Sequence, residues 1–162
     1  MFREMRRKRQ QLTRLECETI LHDATSGVLA LAGDDGYPYA VPVSFVYGEG
    51  RLYFHSALKG HKIDAIRQSD KASFCVIDRD DIVAEEYTTY FRSVIAFGRI
   101  RIIESRAAKR AAIELLAAKY SPEHPKGRER EINSGFDGLC MIEFEIEHLT
   151  GKQAIELVHD RE

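Results

Sequence analysis

The chain has 162 residues, 44% of them hydrophobic and 31% charged, with a formal net charge of −2. That length supports a packed core without disulfides or a structural metal, and one domain over residues 1–162 is expected. A near-neutral balance gives no general affinity for nucleic acid or an anionic membrane. No apolar run approaches the roughly 20 residues of a membrane span, and the N-terminus lacks a signal-peptide stretch. Cys17, Cys75 and Cys140 are odd in number and far apart, so they read as reduced core thiols in a reducing compartment. A cytoplasmic protein with no membrane or nucleic-acid partner is the expectation.

Residues 3–9 form a dense basic cluster, read as a solvated or dimer-spanning segment. Thr13 followed by Glu16 is a capping-box signature, opening a helix with Leu15, Ile20 and Leu21 on its apolar face. Val28–Ala32 is short and apolar, a buried strand, and Gly33-Asp34-Asp35-Gly36 is a hairpin turn by composition. A second strand runs from about Tyr37 to Tyr47. Its Pro38 and Pro42 cannot donate to a ladder, which makes it an edge or irregular strand with amides free for a ligand. Gly48-Glu49-Gly50 turns the chain into a third strand, Arg51 to Ser56.

Lys62 to Gln68 is a short helix, and Ala72 to Ile77 alternates as a strand. Asp78 to Glu86 reads as an acidic, solvated loop. A long strand spans about Thr88 to Glu104, with a break near Gly98. Ser105 caps the clearest helix, Arg106 to Tyr120. Residues 123–138 read as a long loop with room for a helical turn. Leu139 to Ile146 is a strong strand, and residues 148–158 a short strand or tail. Six or seven strands in hairpin order, with two or three helices, point to a mainly β fold: an antiparallel barrel with peripheral helices.

The sequence has no Gly-x-Gly-x-x-Gly after a strand, no P-loop and no Gly-x-Ser-x-Gly elbow. The histidines lack metal-ligand spacing, and the acidic stretch lacks the spacing of a calcium loop, so no metal is expected. What remains is His55-Ser56-Ala57-Leu58-Lys59-Gly60-His61-Lys62. A hydroxyl, helix-start amides and cationic side chains converge within it, as a phosphate requires, and Gly60 lets the backbone approach closely. The same residues could equally form a local turn with solvated lysines.

Tyr39-Ala40-Val41-Pro42-Val43-Ser44-Phe45, then Leu52–Ala57, Gly60-His61-Lys62 and Ile63-Asp64, resemble the FMN-binding split-barrel superfamily of pyridoxamine 5′-phosphate oxidase-like proteins. The branch they are most similar to is the 5-nitroimidazole-resistance (Nim-type) flavoproteins. Met5-Arg6-Arg7-Lys8 and Tyr90–Gly98 add to the match, which spans most of residues 5–103. The resemblance implies a homodimer with FMN at the subunit interface. The backbone of Val41, Pro42, Val43 and Ser44 would meet the isoalloxazine edge. His55 and Ser56 would lie along the ribityl-phosphate, and Gly60, His61 and Lys62 at the phosphate, with Lys59 beside them as a further donor of the same loop. Tyr90 and Ser93 would contribute from a neighbouring strand or subunit.

The pyridoxamine oxidases place tryptophan and arginine around their substrate, and this chain has no Trp, so that activity does not carry over. The implied function is an FMN-dependent oxidoreductase that reduces a small electron-poor substrate such as a nitroimidazole or nitroaromatic. No residue stands out as a general acid. His55 is the best candidate for proton donation, and its favoured alternative role is to hydrogen-bond the phosphate or ribityl chain. The alternative is a non-catalytic flavin- or haem-binding carrier or sensor.

Overall fold

The computed structural model describes residues 1–161, the side chains of 159–161 excepted. Its strands are β1 (Ser26–Ala32), β2 (Pro38–Ser44), β3 (Val46–Gly48), β4 (Arg51–Ala57), β5 (Lys71–Val83), β6 (Thr88–Ile102) and β7 (Leu139–Gln153). Helices α1 (Arg14–Asp23), α2 (His61–Gln68), α3 (Arg106–Tyr120) and α4 (Pro125–Gly135) pack around them. The strands form one antiparallel sheet in the order β2-β1-β5-β6-β7-β4-β3. This is the expected mainly β architecture, a split barrel whose first and last strands curl toward each other.

Alternation puts one face of every strand inside. Leu29 and Leu31, Leu52 and Phe54, Phe74 and Val76, Val94 and Ala96, and Ile142 and Phe144 fill the barrel. Phe45, Phe54 and Phe74 meet edge-on or tilted, with ring centroids 4.9–5.4 Å apart, a geometry that aromatic quadrupoles favour. A second apolar cluster lies outside the barrel. There Ile113 and Leu116 of α3 and Ile132 of α4 pack on Val46 and Met141, so the two helices form a layer over the β3–β4–β7 end of the sheet.

Local rules account for most boundaries. Thr13 and Glu16 form the reciprocal capping box of α1, and the Ser105 hydroxyl accepts from the Ala108 N–H to start α3. Gly98 sits where the β6–β7 register slips by one residue. A Cβ there would stand 1.9 Å from the Glu145 carbonyl oxygen, so only glycine lets the strands close.

Several expectations need correction. Asp78–Val83 is not loop but the continuation of β5, paired residue by residue with Thr88–Arg92 after a bulge between Ile77 and Arg79. Both faces of that ribbon are wet, so its sequence carries no hydrophobic alternation. Residues 125–135 form helix α4 rather than loop: Pro125 stands in the first turn, where its missing N–H costs nothing. The strand expected over 37–47 breaks at Phe45, and β7 runs on to Gln153. Leu15 is 73% exposed, its expected place on the buried face of α1 being taken by Cys17. Cys75 faces outward and is only partly buried, so the core-thiol expectation holds for Cys17 and Cys140 alone.

Two outcomes test this packing. Gly98→Ala should lower the stability by about 1–3 kcal/mol or more, as overpacking does; an unchanged denaturation midpoint would contradict the close approach. Burial first, then the neighbouring Glu16 and Glu18, push the Cys17 thiol up to about 11. Alkylation needs the thiolate, so Cys17 should stay unmodified by iodoacetamide at pH 8 in the folded protein and react on unfolding. Equal rates in both states would exclude the buried site.

Candidate functional site

The sheet's order leaves a gap between β2 and β4. β2 is a terminal strand paired only with β1. β4 pairs with β7 along its whole length, but β3 covers only Arg51–Tyr53 of its other edge. The edge of Phe54–Ala57 is therefore left without a ladder partner on that side, and β2 comes into contact with β4 across this seam. Val41, Pro42, Val43 and Ser44 stand on β2 and His55 and Ser56 on β4, and of these Ser44 and His55 line one pocket. Val41 and Val43 turn inward against the core, while Pro42 and Ser44 are exposed.

At one end of the seam lies the loop that opens α2. Gly60 is the N-cap at φ 132°, ψ 170°, with no side chain capping the helix and open space where a Cβ would stand. The first amides of α2 have no partner within the helix and point outward. Lys62 is half-buried, and Lys59 and His61 are exposed. The His61 ring stacks on Tyr39 of β2 at 4.1 Å, and its Nε2 lies 3.7 Å from the Asp34 carboxylate. The uncapped helix start thus carries Lys59, His61 and Lys62 beside its free amides, although Asp64 in the first turn tempers the positive field.

At the other end the seam opens into an apolar slot of about 310 Å³ between the sheet and the α3–α4 layer. Ser44 and His55 stand at its floor, with Ile113, Leu116, Ala117 and Leu139 as walls. The hydroxyl of Ser44 and the imidazole of His55 have no hydrogen-bond partner among the described residues. A larger hollow of about 590 Å³ lies between α3 and α4, lined by Arg110, Glu114 and Arg128 among others. It is lined by more charged side chains and contains no seam residue, so the smaller slot is the relevant one.

The slot depends on residues with no motif to announce them. Phe45, where β2 ends, is gripped from α3. Its N–H donates to the Tyr120 hydroxyl at 3.0 Å, and its carbonyl accepts from Lys119 Nζ at 3.1 Å. Lys119 also donates to the Ala24 carbonyl, and Tyr120 to that of Thr25. Burial lowers the Lys119 pKa, partly countered by Asp23. Tyr90 and Ser93 are not brought to the seam within one chain. They lie on β6, which β7 separates from β4, and β1 and β5 from β2. Among the described residues, no three histidine, cysteine or carboxylate side chains are placed to hold a metal ion. No helix among them is long and apolar enough to cross a membrane.

The family model for pyridoxamine 5′-phosphate oxidase matches residues 13–153. Among solved structures, a proposed 5-nitroimidazole antibiotic resistance protein from Bacteroides thetaiotaomicron superposes with a TM-score of 0.72 at 21% identity, covering 88% of this chain and 86% of that one. An FAD and haem binding protein from Mycobacterium smegmatis gives 0.75 at 20% identity, covering 90% and 73%. An FAD-binding protein from Mesorhizobium loti gives 0.60 at 24% identity, covering 90% and 97%. No curated protein matches the sequence. With its split barrel, its open seam and a family match across nearly the whole length, the chain belongs to the pyridoxamine 5′-phosphate oxidase family.

Proposed function

We propose that the protein is a cytoplasmic, FMN-dependent oxidoreductase, acting as a homodimer of single-domain chains that reduces a small electron-poor substrate such as a nitroimidazole or nitroaromatic. The observation that carries this reading is the seam itself. A phosphate-type donor set stands at one end, an apolar slot at the other, and two open strand edges run between them. A flavin mononucleotide has the same sequence of chemistries: an anionic phosphate, a hydroxylated chain, and a flat ring with a polar edge.

The residues fit that group one by one. Gly60, His61 and Lys62, with Lys59 beside them, would take the phosphate through amides and cations. Ser56 would follow along the hydroxylated chain. The backbone of Val41–Ser44 would meet the ring edge, where Pro42 leaves no N–H to be satisfied. Bound FMN supplies the electron-transfer chemistry. The chain's part is to orient the ring, to exclude water with the aliphatic walls of α3 and α4, and to offer a proton from His55, whose ring has no hydrogen-bond partner among the described residues. Tyr90 and Ser93, remote within one chain, would reach the site of a second protomer.

The second copy has a surface to meet. On the outer face of the sheet, Val28, Cys75 and Ile95 stand in cross-strand register, with Phe97 one pair further along β6. Val28, Ile95 and Phe97 are exposed, with Phe2 of the same chain beside Phe97, and this apolar patch supports a contact with a second copy there.

The absorption spectrum of the purified protein tests the cofactor. Flavin bands are expected. A Soret band would replace this reading with a haem carrier, and a colourless protein that ignores added FMN would refute it. Lys62→Ala should weaken FMN binding by roughly 1.5–3 kcal/mol, the loss of one charge-assisted hydrogen bond. An unchanged Kd would remove the phosphate assignment. Anaerobic reduction by NAD(P)H followed by turnover of a nitroaromatic separates an enzyme from a carrier, which would show no turnover.

A further inference from the structure

Two charged segments take no part in the seam, and they are opposite in sign. Residues 1–9 hold Arg3, Arg6, Arg7, Lys8 and Arg9 against a single Glu4, and residues 78–86 hold Asp78, Asp80, Asp81, Glu85 and Glu86 against a single Arg79. Each segment satisfies part of its charge locally: Lys8 with Glu4 at 3.1 Å, Arg92 with Asp78 at 3.5 Å, and Arg79 with Asp81. Arg3, Arg6 and Arg9, and likewise Asp80 and Glu85, are exposed and make no ion pair among the described residues.

Neither segment trails freely into solvent. The basic one lies along the rim of the outer sheet face. Phe2 stacks on His148 of β7 at 4.7 Å and 4°, and lies 5.7 Å from Phe97. Gln11 forms a bridge with Lys152, and the Leu12 N–H donates to the Gly151 carbonyl. The acidic segment belongs to a ribbon that outruns the barrel. β7 stops at Gln153, opposite Arg92, and the Ala154 N–H still donates to the Phe91 carbonyl. Beyond that, Asp81–Val83 and Thr88–Tyr90 have only each other as strand partners among the described residues. Such a two-stranded ribbon is at best marginally stable in water. This one exposes Ile82 at 81% and Tyr87 at 98% on its tip, where Tyr87 holds a left-handed φ of 51°.

We infer that in the homodimer the acidic β5–β6 ribbon of each protomer packs against the basic N-terminal segment of the other. The inference rests on the dimer reading above. A twofold interface pairs patch i with patch j and, by symmetry, j with i. Two complementary patches flanking one apolar face therefore each find a match in a second copy, and two equivalent contacts form. The ribbon gains the surface its apolar tip lacks, and the uncompensated charges on both sides neutralise each other. A nucleic acid fits less well, since the chain's five ribbon carboxylates would repel a polyanion that approached the arginines.

Charge reversal tests the pairing by sedimentation equilibrium across a concentration series. Arg6→Glu with Arg9→Glu should weaken dimerisation by about tenfold or more, and so should Asp80→Lys with Glu85→Lys. Combining all four should bring the affinity back to within about threefold of the starting protein, the coupling a direct contact requires. The unaltered dimer should also weaken from 0.05 to 0.5 M salt. A dimer indifferent to both reversals, or a four-fold variant weaker than either pair, would overturn the inference while leaving the dimer reading intact. A protein monomeric at every concentration would refute the dimer reading itself. Retention of an oligonucleotide by a dimer insensitive to reversal would reassign the arginines to nucleic acid.

Discussion

The structure turns on a length of sheet edge that is left unpaired. Backbone N–H and C=O groups are obligatory hydrogen-bonding groups, and a buried edge without partners is costly. Most barrels avoid the problem by full closure. Here β3 stops after covering Arg51–Tyr53, and β2, which might have continued the ladder, is deflected at Phe45. The deflection has an identifiable agent: Tyr120 and Lys119 at the end of α3 take the Phe45 N–H and carbonyl for themselves. Pro42 contributes by removing one donor from the strand. The result is a gap between β2 and β4 whose polar edges face each other across a distance too wide for a ladder.

That gap connects two features that are unremarkable apart. A helix start with Gly60, His61 and Lys62 is a weak anion site, and an apolar slot beneath two helices is a common by-product of packing. Set at the two ends of one seam, they would offer the order of chemistries that a mononucleotide with an aromatic base carries. The α3–α4 layer matters for the same reason. Ile113, Leu116 and Ile132 stabilise the domain through their cluster with Met141, and the same side chains line the slot with His55. Packing and site are built from one set of residues.

Much of this was legible in the sequence, and the failures are physical. The barrel order followed from strands punctuated by Gly-rich turns, and the helix start after Gly60 from the Ser/Gly/Lys loop that precedes it. Helix α4 was hidden because Pro125, Gly127 and Gly135 all read as breakers, although Pro125 occupies the first turn and Gly135 the last. The ribbon at Asp78–Val83 was hidden because strand periodicity is a record of one-sided burial, and neither of its faces is buried. Leu15 misled for the opposite reason, an apolar side chain at helical spacing that faces water. Lys119 and Tyr120 could not have been foreseen, since their partners are backbone atoms 74 to 95 residues away. Tyr90 and Ser93 sit where a single chain gives them nothing to do at the seam.

The central claim is that one end of the seam recognises a phosphate and the rest recognises the flavin that carries it. Difference-absorption titration of the flavin-free protein with FMN and, separately, with riboflavin tests both halves at once. The account predicts a red-shifted, structured flavin band for both ligands, with FMN bound at least about tenfold more tightly, the worth of one charge-assisted bond. Equal affinities would contradict the phosphate end, and no spectral change with either ligand would contradict the whole.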